Sequence, residues 1–255
     1  MARKSAGMSA VSRMCRVLET FTPQDSGLRL SEIARRAQMP VSSVHAIAHQ
    51  LVAEGLLERS AGEFILGVRL WELAIRAPGT FGLREAALTP MEQAHTIIQH
   101  HVQLGILSGS DMLYIERLSS PGSVVNFTQV GGRLPWYRTS SGILLAALAE
   151  PAVQDQLLSE ARPAQPPAPN LSDADMQRLM RRAQQNRFVV TEGFVHADAT
   201  AVSVPIMSPW RTCIASLAAV VPSRGTDVES VVKALRQAAY QAGQRLASSL
   251  SRDRL

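Results

Sequence analysis

The chain has 255 residues, 46% of them hydrophobic and 18% charged, with a formal net charge of +5. That length supports two packed cores, and the composition excludes a disordered or fibrous class. Two cysteines in 255 residues exclude a disulfide scaffold, and no apolar run is long enough for a transmembrane helix.

Residues 1–9 read as a disordered basic arm. MARKSAGMSA lacks the apolar core of a signal peptide, so a cytoplasmic location is expected. A helix is predicted over 10–22, with Val11, Cys15, Leu18 and Phe21 facing inward. Ser31 is the expected cap of the next helix, where Ile33, Ala34 and Ala37 recur at helical spacing. Gln38-Met39-Pro40 interrupts it, and Pro40 suits the start of a second helix. There Val44, Ile47, Ala48 and Leu51 form the buried stripe, and Gly55 supplies a left-handed stop. Leu57–Arg59 and Phe64–Leu66 flank Ser60-Ala61-Gly62-Glu63 as a hairpin. Helix, turn, helix and hairpin make a winged helix-turn-helix over 10–67, a shape that places its second helix in the major groove of double-stranded DNA.

Opposite the buried stripe lie Ser42, Ser43, His45, Ala46, His49 and Gln50, short or polar side chains without a carboxylate among them. Such groups reach phosphates and base edges. Arg35 and Arg59 are the accompanying cations. Residues 1–76 hold ten Lys and Arg against seven Asp and Glu, so the positive excess leans toward this domain.

A linker helix is expected over 68–79, ending at Pro78-Gly79. Its Leu70, Trp71 and Leu73 suit either a dimer contact or the chain's own core. From 80 to 255 the pattern predicts an α+β domain with an antiparallel sheet. A long helix covers Leu83 to about Gln99. A hairpin then joins His101–Leu107 to Met112–Leu118, and a further strand is expected over Val124–Val130. A helix covers Ser141–Glu150, a proline-rich connector 162–169, and a helix 173–187 capped by Ser172 or Asp173. Strands at 188–191, 200–207 and 212–221 and a helix over roughly 226–250 complete the chain. Cys15 and Cys213 both read as buried small hydrophobes.

Three constellations argue for no chemistry. His95, His100 and His101 have no carboxylate or thiolate at ligand spacing, so no metal is expected. Gly131-Gly132-Arg133 lacks the ending of a phosphate loop. Glu192, His196 and Asp198 have no nucleophile near them in sequence and read as a polar loop. The chain is therefore expected not to be an enzyme and to need no cofactor. The competing reading is a ligand-binding protein or enzyme with an accessory helix-turn-helix.

Four blocks resemble the IclR family of bacterial transcriptional regulators. They are Leu30–Ala34 with Pro40–His45; Leu51–Arg59 with Leu66–Leu70; Gly131–Trp136 with Thr139, Ser140 and Gly142; and Phe188–Val190 with Val202–Ile206. The resemblance implies a GAF-like effector-binding domain after the linker helix, and homodimers or tetramers on a palindromic operator. It implies an effector pocket bounded by Gly132, Leu134, Trp136, Thr139, Ser140, Ser141, Ala201, Ser203, Ala218 and Val220. Departures stand out. Val41 and Ala46 replace a Lys and an Arg frequent in the family, which removes cations from the reading helix. Ala201, Ala218 and Val220 replace a Cys and two serines, which makes the pocket wall more apolar. An aromatic or largely apolar effector is expected rather than a two- or three-carbon keto acid.

Overall fold

The computed structural model describes residues 8–22, 24–76, 80–126, 128–163 and 171–252. Residues 1–7 of the arm expected at 1–9, the boundary at 77–79 and most of the proline-rich connector lie outside them. The chain divides into two compact units, 1–78 and 79–255.

In the first unit α1 (Ala10–Leu18) begins where Ser9 accepts a hydrogen bond from Ser12 N–H. It stops four residues short of its expected end, and its buried face is turned. Val17 is fully buried and Met14, Leu18 and Phe21 pack on the core, while Val11 is 68% exposed and Cys15 faces solvent. The i, i+4 spacing of Val11 and Cys15 marks a neighbouring stripe; contact with α2 (Leu30–Ala37) and α3 (Val41–Ala53) selects the one that carries Val17. Ser31 does not cap α2 but lies inside it. Leu28 pairs with Phe64 through two backbone hydrogen bonds of 2.9 and 2.8 Å, which moves the cap position back to Arg29.

The turn from α2 to α3 uses a left-handed Gln38, φ 54°, and Pro40 precedes the first residue of α3. Gly55, φ 69°, follows the cap of α3 as expected. The wing is β1 (Leu57–Ser60) paired with β2 (Glu63–Leu66). Only Ala61 and Gly62 are unpaired, both with positive φ, as a two-residue primed turn requires. Next, α4 (Arg69–Ala74) leaves Trp71 59% exposed and Leu73 on the surface. Trp71 is not a core residue of this chain.

The second unit has one antiparallel sheet with helices on both faces. It opens with α5 (Thr80–Ile98), followed by the hairpin β3 (His101–Ser108) and β4 (Asp111–Leu118). The short β5 (Arg133–Pro135) leads through a 3-10 turn at Trp136–Arg138 into α6 (Ser140–Leu148). Helices α7 (Pro151–Ser159) and α8 (Asp173–Asn186) precede β6 (Val189–Glu192), β7 (Ala199–Met207) and β8 (Cys213–Pro222); α9 (Val228–Arg252) closes the unit. Sheet order is β5-β4-β3-β8-β7-β6. The sequence pattern misses α7 and β5. It also places a strand at Val124–Val130, where none forms among the described residues. Edge pairing to β4 falls to Arg133–Pro135 instead. The carbonyls of Val124 and Thr128 accept from the side chains of His101 and Arg117.

Strand alternation sorts the sheet's residues. Val102, Leu104, Val202, Val204, Ile206, Ala215, Leu217 and Ala219 face α5 and α9 in one apolar core. Gln103, Ala201, Ser203, Ser216, Ala218 and Val220 point the other way, toward α6. That helix is buried on all sides from Ser140 to Ala147, as an apolar-all-round helix must be. Trp136, Leu157, Met176 and Met180 pack beyond it.

Candidate nucleic-acid interface and ligand cavity

Helix α3 buries Val44, Ile47, Ala48 and Leu51 against the first unit's core. The opposite face presents Ser42, His45, Ala46, His49 and Gln50 to solvent, with Ser43 half-buried at its border. Thus the six residues singled out on this helix share one face. His45 and His49, one turn apart, bring their Nε2 atoms within 3.1 Å. Arg35 is exposed, but its guanidinium grips Glu32 through two bonds of 3.0 and 2.6 Å. Arg59, exposed on the wing, stacks over the Phe64 ring at 5.3 Å. A network braces the helix pair from behind: Arg36 binds Asp25 at 2.6 and 3.0 Å, Glu32 at 2.8 Å and the Thr20 carbonyl at 2.9 Å. Hydrogen bonds from Arg35 and Arg36 hold the Glu32 carboxyl down to about 2. Those from Arg36 and Thr22 hold Asp25 well below the usual carboxylate range.

The second unit contains a pocket between the sheet and the start of α6, where about 460 Å³ of empty space, open solvent included, lies between the lining residues. Six expected residues line it: Thr139, Ser140, Ser141, Ala201, Ala218 and Val220. The other four stand elsewhere. Trp136 is 1% exposed in the α6–α8 core, with its edge toward Tyr137. Leu134 pairs with Met112 in the sheet and packs in a small cluster with it, Tyr114 and Leu145. Gly132 accepts from Tyr114 N–H through its carbonyl. Ser203 is fully buried farther along β7. The lip therefore contributes its end rather than its beginning. The turn at Trp136–Arg138 directs the indole into the core and leaves Arg138 at the cavity. Gly142 lets α6 lie on the Trp136 backbone, where any Cβ would collide with the Trp136 carbonyl.

Sequence reasoning missed the polar half of the lining: Gln103, Tyr114, Asn126, Thr128, Arg138, Thr191 and His196. Thr128 Oγ1 donates to Gln103 Oε1 at 2.6 Å. Tyr114 hydrogen-bonds with Thr139, yet burial pushes its phenol up to about 12. Thr191 Oγ1 and Asn126 Nδ2 are buried without a partner. Such atoms are free to meet a ligand. One signal was available: Gln103 and Thr191 are polar positions within otherwise apolar strand runs.

Other candidates have structural roles. His101 Nε2 donates to the Val124 carbonyl at 2.6 Å, and Nδ1 lies 2.8 Å from Ser119 Oγ. Burial lowers its pKa below the ordinary value. His95 meets Ser120 instead, at 3.1 Å. Cys213 is half-buried and its thiol is pushed up to about 12 by burial, which makes it a poor nucleophile. Among the described residues no helix is long and apolar enough to cross a membrane.

Comparison with known proteins adds to this geometry. Residues 10–61 match the IclR helix-turn-helix domain and residues 77–244 the bacterial transcriptional regulator IclR C-terminal domain. The chain is 27% identical over 217 residues to a probable transcriptional regulator, SauR, of Cupriavidus necator, covering 84% of this chain and 86% of that one. It is 23% identical over 247 residues to the regulator XynR of Escherichia coli, covering 95% and 97%. A crystal structure of an IclR homolog from Microbacterium hydrocarbonoxydans complexed with 4-hydroxybenzoate superposes with a TM-score of 0.85. That protein is 37% identical, with 94% of this chain and 100% of that one covered.

Proposed function

This chain belongs to the IclR family of bacterial transcriptional regulators, and from that premise we propose that it is a cytoplasmic, non-enzymatic regulator answering to a small aromatic acid. Operator DNA is read by Ser42, Ser43, His45, Ala46, His49 and Gln50, flanked by Arg35 and Arg59, in homodimers or tetramers on a palindromic site. A single winged helix reads only a short half-site, and the exposed Trp71 and Leu73 on α4 are available to a second copy.

The cavity lining carries the effector assignment. Ala199, Ala201, Ala218, Val220 and Phe194 offer apolar wall for a ring. Arg138, with Thr139, Ser140 and Ser141 at the start of α6, supplies the cation and hydroxyls that a buried carboxylate needs. Thr191 and Asn126 provide unused polar atoms for a second polar group on the ring. The 4-hydroxybenzoate bound by the Microbacterium protein is a molecule of this shape and polarity. The expectation of an apolar effector is therefore refined: the ring is apolar, the acid end is matched.

Calorimetry tests the assignment with 4-hydroxybenzoate and benzoate against pyruvate and glyoxylate. Binding of the aromatic acids is expected, together with a change in retardation of the chain's own upstream DNA and no turnover of the ligand. Tight binding of a keto acid with no response to aromatic acids overturns it.

A further inference from the structure

The face of α3 carries a feature that base reading does not require. His45 and His49 sit at i and i+4, both exposed, with ring centroids 4.3 Å apart and Nε2 atoms 3.1 Å apart. One ion bound at 2.0–2.1 Å to each imidazole nitrogen sets the two nitrogens roughly 3.3 Å apart at the tetrahedral angle and roughly 2.9 Å apart at a right angle. The observed spacing lies between those values. The two nitrogens are therefore spaced as two ligands of one ion are.

We propose that His45 and His49 form a divalent transition-metal site on the DNA-reading face, taking zinc, copper or nickel, the metals that imidazole suits. From Val41 to Ala53 the helix carries no Lys, Arg, Asp or Glu, so a bound dication meets no like charge on its own helix. Each ring would coordinate through its Nε2 lone pair, in the tautomer that carries the proton on Nδ1. No third His, Cys, Asp or Glu joins the pair among the described residues. Water completes the coordination, and the ion stays exchangeable. While it is bound, neither ring can reach a base edge, so metal and operator compete. That competition rests on the reading of α3 given above; the metal site itself does not.

The test is calorimetric titration of Zn²⁺ and of Cu²⁺ into the untagged full-length chain. One ion per chain is expected, with affinity falling roughly tenfold or more in His45→Ala and in His49→Ala separately. Both positions are on the surface, so both variants keep the wild-type melting temperature. Absence of binding, or a site undiminished in both variants, overturns the proposal. A second arm measures retardation of the chain's own upstream DNA with and without zinc. Zinc should weaken retardation by wild type, reversibly on chelation, and leave His45→Ala unaffected. Loss of the metal site in the variants with zinc-insensitive retardation by wild type keeps the site and overturns the competition.

Discussion

The two faces of the six-stranded sheet share a backbone and differ in what they leave unpaired. On the face toward α5 and α9, buried polar groups have partners: Glu116 is held by Arg84 at 2.6 Å and Thr200 by Ser223 at 3.0 Å. On the face toward α6, the hydroxyls of Thr191, Ser203 and Ser216 are buried with none. An unsatisfied buried hydroxyl costs about 1–3 kcal/mol. One face is packed for stability. The other carries a stability cost, and one of its three unpartnered hydroxyls, that of Thr191, lies in the cavity lining.

The comparison is broken most readily by Leu217→Ala. Leu217 is fully buried on the closed face. Truncation should cost about 2–5 kcal/mol in urea unfolding, while the folded protein keeps its ligand affinity. A loss below 1 kcal/mol would show that the closed face is not the structural one. A smaller effect is expected from Tyr114→Phe on the open face. Removing the hydrogen bond to Thr139 should cost about 0.5–1.5 kcal/mol. The same variant has a pH signature. Burial raises the Tyr114 pKa from 10.0 to about 12, so its neutral form is favoured in the folded state. That contribution is complete below pH 10 and is lost as pH rises toward 12. Wild type should destabilise over that interval more steeply than Tyr114→Phe, a difference that unfolding curves at several alkaline pH values can show. Thr191→Val should give the smallest effect, with the opposite sign. Replacing an unpartnered hydroxyl by a methyl group should stabilise the free protein by up to about 1 kcal/mol and weaken aromatic-acid binding. Loss of stability in that variant would mean the hydroxyl is satisfied, and the contrast between the faces would narrow.

Local signals made the first unit legible. The Val44-Ile47-Ala48-Leu51 stripe, the left-handed Gly55 and the Ala61-Gly62 turn each follow from a few adjacent residues. The errors there came from distant partners. Ser31 yields the helix start to Arg29 because Leu28 is pinned to Phe64, 36 residues away in sequence. Cys15 faces solvent because neighbouring helices, not its own spacing, choose the buried stripe. In the second unit strands and long helices could be read, but the cavity could not be fully assembled. Gln103 lies opposite Ala218 only through the β3–β8 register, which no local pattern encodes. Val124–Val130 is rich enough in valine to suggest a strand, yet Arg133–Pro135 takes the pairing with Asp111–Leu113 of β4, and the Val124 and Thr128 carbonyls accept from the side chains of His101 and Arg117 instead. Of the expected lip, Thr139 and Ser140 line the cavity; whether Trp136 or Arg138 turns toward it depends on one short 3-10 turn.

The sheet's two margins have a bearing on how the protein behaves at high concentration. Its outermost strands, β5 and β6, are three and four residues long. Margins that short present few unsatisfied amides in register, which makes them poor templates for another chain to extend. Growth of cross-β aggregates from the native second unit is disfavoured by that truncation alone. Misassembly during overexpression is then a hazard of the unfolded chain, with its valine-rich β7 and β8 uncovered, and not of the folded one.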